Sequence, residues 1–265
     1  MKVYIIGCGA MGGAILSGCL AEGIWKKEDV FLKEHSIEAS RQKAELYGVN
    51  VSEKPEDISS ADLVLLAVKP AVMPEVLGEI APFYPKKVIS IAAAVTVDSL
   101  EAALPEKTEV IRVMPNTPAS VGAGMTAITA GHFATKKFLE ETETIFSALG
   151  KTAVVSEREL DELGALSGAG PGYAFVMIDA LSDAGVRAGL PRKLATEAAA
   201  QTLYGAAKMV LETGKHPGEL RDMVTSPGGT TMAGIYAMEK AGIRGILMDA
   251  VTAALAKSDE MSKKE

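Results

Sequence analysis

Two stretches of this 265-residue sequence hold residues whose type and spacing suit chemistry. The first is Gly7-Cys8-Gly9-Ala10-Met11-Gly12, which follows the apolar, β-prone run Val3-Tyr4-Ile5-Ile6 and leads into the helix-like Ala14-Ile15-Leu16. Glycines at that spacing between a strand and a helix suit a pyrophosphate. Gly7 allows a tight turn, Gly9 lets a phosphate approach the backbone, and Gly12 lets helix and strand pack closely. The helix N-terminus adds free N–H groups and partial positive charge. Glu34 stands about 20 residues further on, near where a ribose-reading carboxylate is expected in such a unit. The alternative is a glycine-rich strand-to-helix turn that holds nothing.

The second stretch is Ser226-Pro227-Gly228-Gly229-Thr230-Thr231. Amides of Gly229, Thr230 and Thr231 would converge on an anion ahead of a helix, with the Ser226, Thr230 and Thr231 hydroxyls as further donors, so the turn suits a small carboxylate. The alternative is an ordinary helix–helix turn with Thr230 or Thr231 as N-cap. Two shorter segments join them. In Val68-Lys69-Pro70, Lys69 stands where a parallel strand ends beside the nucleotide; it contacts cofactor or substrate there, or is a solvated strand-end lysine. In Arg112-Val113-Met114-Pro115-Asn116-Thr117-Pro118 two prolines fix an irregular loop, and Asn116 offers amide donors and an acceptor to a nicotinamide, or bonds within its own turn.

Other chemistries find no residues. There is no Ser-His-Asp set and no motif pairing two carboxylates, and His35, His132 and His216 lie far apart. Cys8 and Cys19 have no second ligand at metal spacing, so no metal is expected. A net charge of −7 with scattered basic residues leaves no cationic stripe for nucleic acid or an anionic membrane. Unpaired cysteines, no charged leader with a cleavage site before the first strand, and no bilayer-length apolar run together predict a soluble, unprocessed cytoplasmic protein.

The elements that must position these residues fall into two blocks, and 48% hydrophobic content over this length fills the cores of two ordinary domains. Residues 1–155 alternate short β-branched runs with helical segments, the pattern of a parallel sheet with crossover helices. Strands are expected at 3–6, 30–32, 49–51, 63–68, 88–92 and 109–114, with added strands at 125–130 and 152–155. Ser36 is expected to cap a helix closing before Gly48, Asp98 one at 99–104, and Thr135 one ending near Gly150. Residues 156–265 are Ala-, Leu- and Met-rich with helical period. Helices are expected at 160–188, interrupted by Gly168-Ala169-Gly170-Pro171-Gly172, and at 192–213, 217–224, 231–241 and 244–262. Their faces are rich in Ala and Gly, which makes a thin core and predicts burial against another subunit.

In order along the whole chain, Gly7–Gly12, Val68-Lys69-Pro70, Arg112–Pro118 and above all Asp222–Thr231 followed by Glu239 resemble the pyrroline-5-carboxylate reductases, the last enzymes of proline biosynthesis. The resemblance implies an α/β Rossmann-type nucleotide-binding domain (1–155) followed by an all-α dimerisation and substrate-binding domain (156–265) that interlocks with a second subunit. It also implies hydride transfer from NADPH or NADH to the cyclic imine of 1-pyrroline-5-carboxylate, giving L-proline. Carried over by position, the nucleotide contacts are Ile6, Gly7, Cys8, Gly9, Ala10, Met11, Ala67, Val68, Lys69, Pro70, Ala92, Ala93, Ala94 and Asn116. The substrate sits on Ser226, Gly228, Gly229, Thr230 and Thr231, with its carboxylate on the amides of Gly229–Thr231 and its ring nitrogen on the Thr231 hydroxyl, the one side chain given a catalytic role. Two departures stand out. An Asn that touches the nucleotide in many relatives is replaced by Lys54. After the second strand, where relatives often carry Ser, Thr or Arg, this chain has Lys33-Glu34-His35-Ser36; Glu34 favours NADH, while Lys33, His35, Ser36 and Arg41 favour NADPH. The rivals are a β-hydroxyacid-type dehydrogenase, which needs a catalytic Lys that residues 160–187 lack, and a non-catalytic dinucleotide-binding protein, which has no use for both Asn116 and the Gly229–Thr231 turn.

Overall fold

A computed structural model describes residues 1–262 and divides the chain into two compact units, one formed by residues 1–169 with the stretch from Ala254 onward, the other by Gly170–Ala253. In the first unit the order is β1 (Val3–Ile6), α1 (Ala10–Ala21), β2 (Val30–Lys33), α2 (Ile37–Tyr47), β3 (Asn50–Val51), β4 (Leu63–Leu66), α3 (Met73–Ile80), β5 (Lys87–Ser90), α4 (Val97–Ala103), β6 (Glu109–Met114), β7 (Gly124–Ala130), α5 (Lys136–Ser147), β8 (Gly150–Val154) and α6 (Glu157–Leu163). The eight strands form one sheet in the order β3-β2-β1-β4-β5-β6-β7-β8. Pairing is parallel from β3 to β6. β7 runs antiparallel to β6 and parallel to β8, because the β6–β7 link holds only the 3-10 turn Thr117–Val121 and is too short for a crossover helix.

Alternation along the strands builds a core on each face. Val3 and Ile5 pack with Ile15, Leu16, Leu32, Phe138 and Phe146 on the α1 and α5 side. Tyr4 and Ile6 pack with Val64, Leu66, Met73, Val76 and Leu100 on the α3 and α4 side. Ser36 accepts from the Ala39 N–H and Gly48 closes α2 in the left-handed region, while Thr135 accepts from the Phe138 N–H to start α5. At α4 the cap is Thr96 and not Asp98, which lies in the first turn where its charge complements the helix dipole. β4 and β5 each end two residues short of the sequence expectation, so Ala67–Pro70 and Ile91–Ala94 are loops at the carboxyl edge of the sheet.

The expected break at 168–172 is instead a wide turn. Gly164–Gly168 forms a π-helical turn, marked by the Ala169 N–H bonding the Gly164 carbonyl at 3.1 Å, and joins α6 to α7 (Gly170–Arg187). Pro171 sits in the first turn of α7, where a missing N–H is tolerated. The second unit contains α7, α8 (Arg192–Thr213), α9 (Pro217–Met223), α10 (Thr230–Lys240) and the first half of α11 (Ile243–Ser262). α7 and α8 meet closely, a Cβ at Gly185 falling 2.9 Å from Ala195 Cβ. Only Ser182, Ala195 and Ala199 are buried between Gly170 and Ala253, while Phe175, Val176, Tyr204, Leu211, Tyr236 and Met248 are 57% to 73% exposed. Apolar exposure on that scale marks a surface made for a partner. Among the described residues no helix is long and apolar enough to cross a membrane.

Candidate functional site

In the first unit a cleft of about 360 Å³ opens at the carboxyl edge, where β1 neighbours β4 and the strand order reverses. Its walls are Gly9, Ala10, Met11, Gly12, Ala67, Val68, Lys69, Pro70, Ile91, Ala92, Ala93 and Pro115. The β1–α1 loop that forms it is shaped by its glycines. Gly7 has φ +87°, and a Cβ there would lie 2.6 Å from the Ala67 carbonyl oxygen; one at Gly12 would lie 2.6 Å from the Gly7 carbonyl oxygen. At Gly9 a Cβ would meet nothing within 4 Å, so this glycine leaves open space above the loop. Gly9 is also the N-cap of α1, with no side-chain cap and no acid in the first turn, so the Ala10, Met11 and Gly12 amides have no intrahelical acceptor. Open space, free amides and the dipole of a 12-residue helix fit a pyrophosphate.

Of the residues singled out from sequence, Gly9, Ala10, Met11, Ala67, Val68, Lys69, Pro70, Ala92 and Ala93 line this cleft. Ile6 ends β1 in the core, and Gly7 and Cys8 form the buried floor of the loop. The Cys8 N–H donates to a Glu34 carboxylate oxygen. Burial and then the Glu34 charge push the Cys8 thiol up to about 11. Ser36 spends its hydroxyl on capping α2, and Lys54 is exposed ahead of the 3-10 turn Pro55–Ser60. Ala94 lies outside the cleft, lining a neighbouring cavity of about 510 Å³ between α3 and α4, and has φ +64°, a strained conformation for a residue with a Cβ. Asn116 is 8% exposed; its carboxamide oxygen accepts from the Met125 N–H at 2.9 Å and its nitrogen donates to the Ser167 carbonyl at 2.9 Å. One amide proton is left over. The Lys69 side chain is exposed, and its ammonium has no hydrogen-bond or ion-pair partner among the described residues.

Three features were missed from sequence. Gly12 and Pro115, inside segments singled out from sequence but not named as contacts, and Ile91, next to Ala92, complete the cleft wall. A second cavity of about 280 Å³ shares Ala93 and Pro115 with the cleft and is otherwise walled by residues such as Met114, Asp161, Ala165 and Ala254. Arg112 is 1% exposed and forks to Glu157 at 2.8 Å and Asp161 at 2.7 Å, tying β6 to α6. The signal was legible: one arginine inside the apolar strand Glu109–Met114 must find anionic partners.

In the second unit, Gly228 has φ +69° and Gly229 is the N-cap of α10, with no side-chain cap and no acid in the first turn. The helix starts at Thr230, one residue before the sequence expectation, so neither threonine is the cap. Both hydroxyls stand in the exposed first turn beside amides that lack an intrahelical acceptor. The Gly229 N–H itself closes a turn onto the Ser226 carbonyl at 3.0 Å, and a Cβ at 229 would fall 2.3 Å from Ser226 Oγ. The nearby Asp222 carboxylate pairs with Arg221 at 2.9 Å.

Residues 157–261 match the family model described as pyrroline-5-carboxylate reductase dimerisation, and residues 2–94 match the one described as NADP oxidoreductase, coenzyme F420-dependent. The chain is 41% identical over 265 residues to the pyrroline-5-carboxylate reductase of Escherichia coli, covering 99% of this chain and 98% of that one. Among solved structures it resembles a pyrroline-5-carboxylate reductase from Coxiella burnetii (TM-score 0.90, 34% identity, 98% and 97% of the two chains). It also resembles the Plasmodium falciparum pyrroline carboxylate reductase with NADP bound (TM-score 0.86, 31% identity, 99% and 98%).

Proposed function

This chain belongs to the pyrroline-5-carboxylate reductase family, and from that premise we propose how its own residues divide the reduction of 1-pyrroline-5-carboxylate to L-proline. The cofactor is NADH or NADPH, and the reduced nicotinamide supplies the hydride when bound. The α1 amides behind Gly9 hold the pyrophosphate, Glu34 meets the adenosine ribose, and Lys69 offers its unpaired ammonium at the cleft mouth. Asn116 acts chiefly by fixing the β6–β7 turn against Ser167, with one amide proton free for the ligand. The cavity past Ala93 and Pro115 takes the nicotinamide end, on the β5 and β6 side of the switch point.

The Gly229–Thr231 turn holds the substrate carboxylate, and the Thr231 hydroxyl bonds the ring nitrogen. Little more is asked of side chains. A protonated imine accepts hydride readily, so orientation carries the rate, a contribution that reaches about 7–11 kcal/mol in the best intramolecular models. The observation that carries this division is that α1 and α10 both begin on an uncapped glycine with no acid in the first turn, while α2, α4, α5 and α6 are closed by Ser36, Thr96, Thr135 and Ser156. Gly229→Ala tests it. The Cβ displaces the Ser226 hydroxyl from the turn, so KM for the imine should rise while the Kd for NADH stays the same. An unchanged KM removes the turn from the substrate site.

The exposed helical surface of Gly170–Ala253 is covered by a second copy, giving a homodimer or a larger oligomer built from dimers. Mass measurement at nanomolar concentration checks this, a folded and active monomer being the contrary result. We place the enzyme in the cytoplasm, where Cys8 and Cys19 stay free thiols.

A further inference from the structure

We propose that this chain selects NADH over NADPH, because the carboxylate at the end of β2 is fixed against the glycine loop while Lys33 and Arg41 are paired with other carboxylates. The proposal rests on the reading of the cleft as a dinucleotide site. Glu34 follows β2 directly, its side chain only 15% exposed, and one of its oxygens accepts from the Cys8 N–H. Its own N–H donates to Ser40 Oγ at 2.9 Å, and that hydroxyl donates to the Ser36 carbonyl at 2.8 Å. Swinging the carboxylate aside would therefore leave the Cys8 amide without a partner. A ribose 2′-hydroxyl can donate to such a carboxylate. A 2′-phosphate carries about −1.5 to −2 charge near neutral pH, meets a like charge and, as the dianion that prevails at pH 8, has no proton to give.

A phosphate site would need cations freed to offset Glu34, and the residues that the sequence offers for this are occupied. Lys33 pairs with Glu79 on α3, across the sheet from α1. Arg41 pairs with Glu53 at 2.9 Å, and the Ser36 hydroxyl caps α2. His35 Nδ1 lies 3.7 Å from the second Glu34 oxygen on a side chain that is 83% exposed.

Calorimetric titration of the full-length protein at pH 8 with ADP-ribose and with 2′-phospho-ADP-ribose reads this directly, without substrate or turnover. ADP-ribose should bind at least about tenfold tighter. Glu34→Gln keeps an oxygen for the Cys8 N–H and removes the charge, so it should tighten 2′-phospho-ADP-ribose by about tenfold or more with melting temperature unchanged. Glu34→Ser should bring the two affinities together. Equal binding of the two ligands by the parent, or a Glu34→Gln ratio that does not move, overturns the proposal and leaves the reductase reading intact. Binding of neither ligand overturns it together with the placement of the dinucleotide.

Discussion

Replacing Gly9 by Ala separates binding from folding more cleanly than any other change in the glycine loop. Gly9 has φ −69° and ψ −159°, which alanine adopts without strain, and a Cβ there meets nothing within 4 Å. Loss of glycine's freedom in the unfolded chain stabilises by about 0.4–1 kcal/mol. Alanine is a poorer N-cap than glycine by a similar few tenths to about 1 kcal/mol. The two offset, so thermal melting should stay within about 3 °C of the parent. The methyl group nevertheless fills the space through which a phosphate reaches the α1 amides. Losing one charge-assisted hydrogen bond of about 1.5–3 kcal/mol weakens binding roughly 10- to 150-fold. Calorimetric titration with NADH measures the second effect and a melting curve the first. Gly12→Ala supplies the contrast. Its Cβ would sit 2.6 Å from the Gly7 carbonyl oxygen and 3.1 Å from Ala67 Cβ, so α1 must move off β1 at about 1–3 kcal/mol, and stability and affinity fall together. A Gly9→Ala protein that melts like the parent and binds NADH as tightly refutes the pyrophosphate cradle.

Thr231→Ala should lower kcat/KM roughly 10- to 150-fold, from the loss of one hydrogen bond to a charged group, with NADH affinity unchanged and with Thr231→Ser retaining much of the activity. Arg112→Ala leaves Glu157 and Asp161 facing an apolar strand end and should cost about 3 kcal/mol or more in urea denaturation, the lower end of the range because both carboxylates are about a third exposed. The hydrogen bond that His132 makes to the Glu101 carboxylate, and then that carboxylate's charge, raise the His132 pKa above its ordinary value. A raised folded-state pKa gives stability that is present below the unfolded value near 6.5 and is lost as pH climbs through the folded one, so the melting-temperature gap between parent and His132→Gln should be wider at pH 5.5 than at pH 8.5. Burial pushes the thiols of Cys8 and Cys19 up to about 11 and about 12, so at pH 8 on the order of one Cys8 in a thousand is thiolate. A chromogenic disulfide reagent should find both thiols in guanidinium and neither at a comparable rate in the native protein.

What could be read in the sequence was what local chemistry fixes. Gly7, Gly9 and Gly12 announce a turn, an approach and a close packing before any coordinates, because each role depends on having no Cβ. Ser36, Thr135 and Gly48 likewise state where helices begin and end. Positions settled by tertiary partners were harder. Asp98 and Thr96 are both competent caps, and the choice of Thr96 follows from Glu157 on α6 accepting the Val97 N–H at 2.8 Å. Asn116 has donors and an acceptor whether it faces a ligand or its own turn; only the arrival of Met125 and Ser167 decides where they go. The direction of β7 follows from the length of its loop, which neither propensity nor apolar alternation encodes. The same limit holds for cofactor choice. Lys33, Glu34, His35, Ser36 and Arg41 read as a mixed field in one dimension, and only the partners Glu79, Glu53 and the Cys8 amide show which charges remain available.

This chain delivers hydride to the imine carbon of 1-pyrroline-5-carboxylate. NADH dideuterated at C4 of the nicotinamide, incubated with the enzyme and the imine, tests it when the product is examined by mass spectrometry and proton NMR. L-Proline carrying one deuterium at C5, the former imine carbon, should form in step with NADH oxidation. Unlabelled proline, or NADH oxidation without proline, would contradict it.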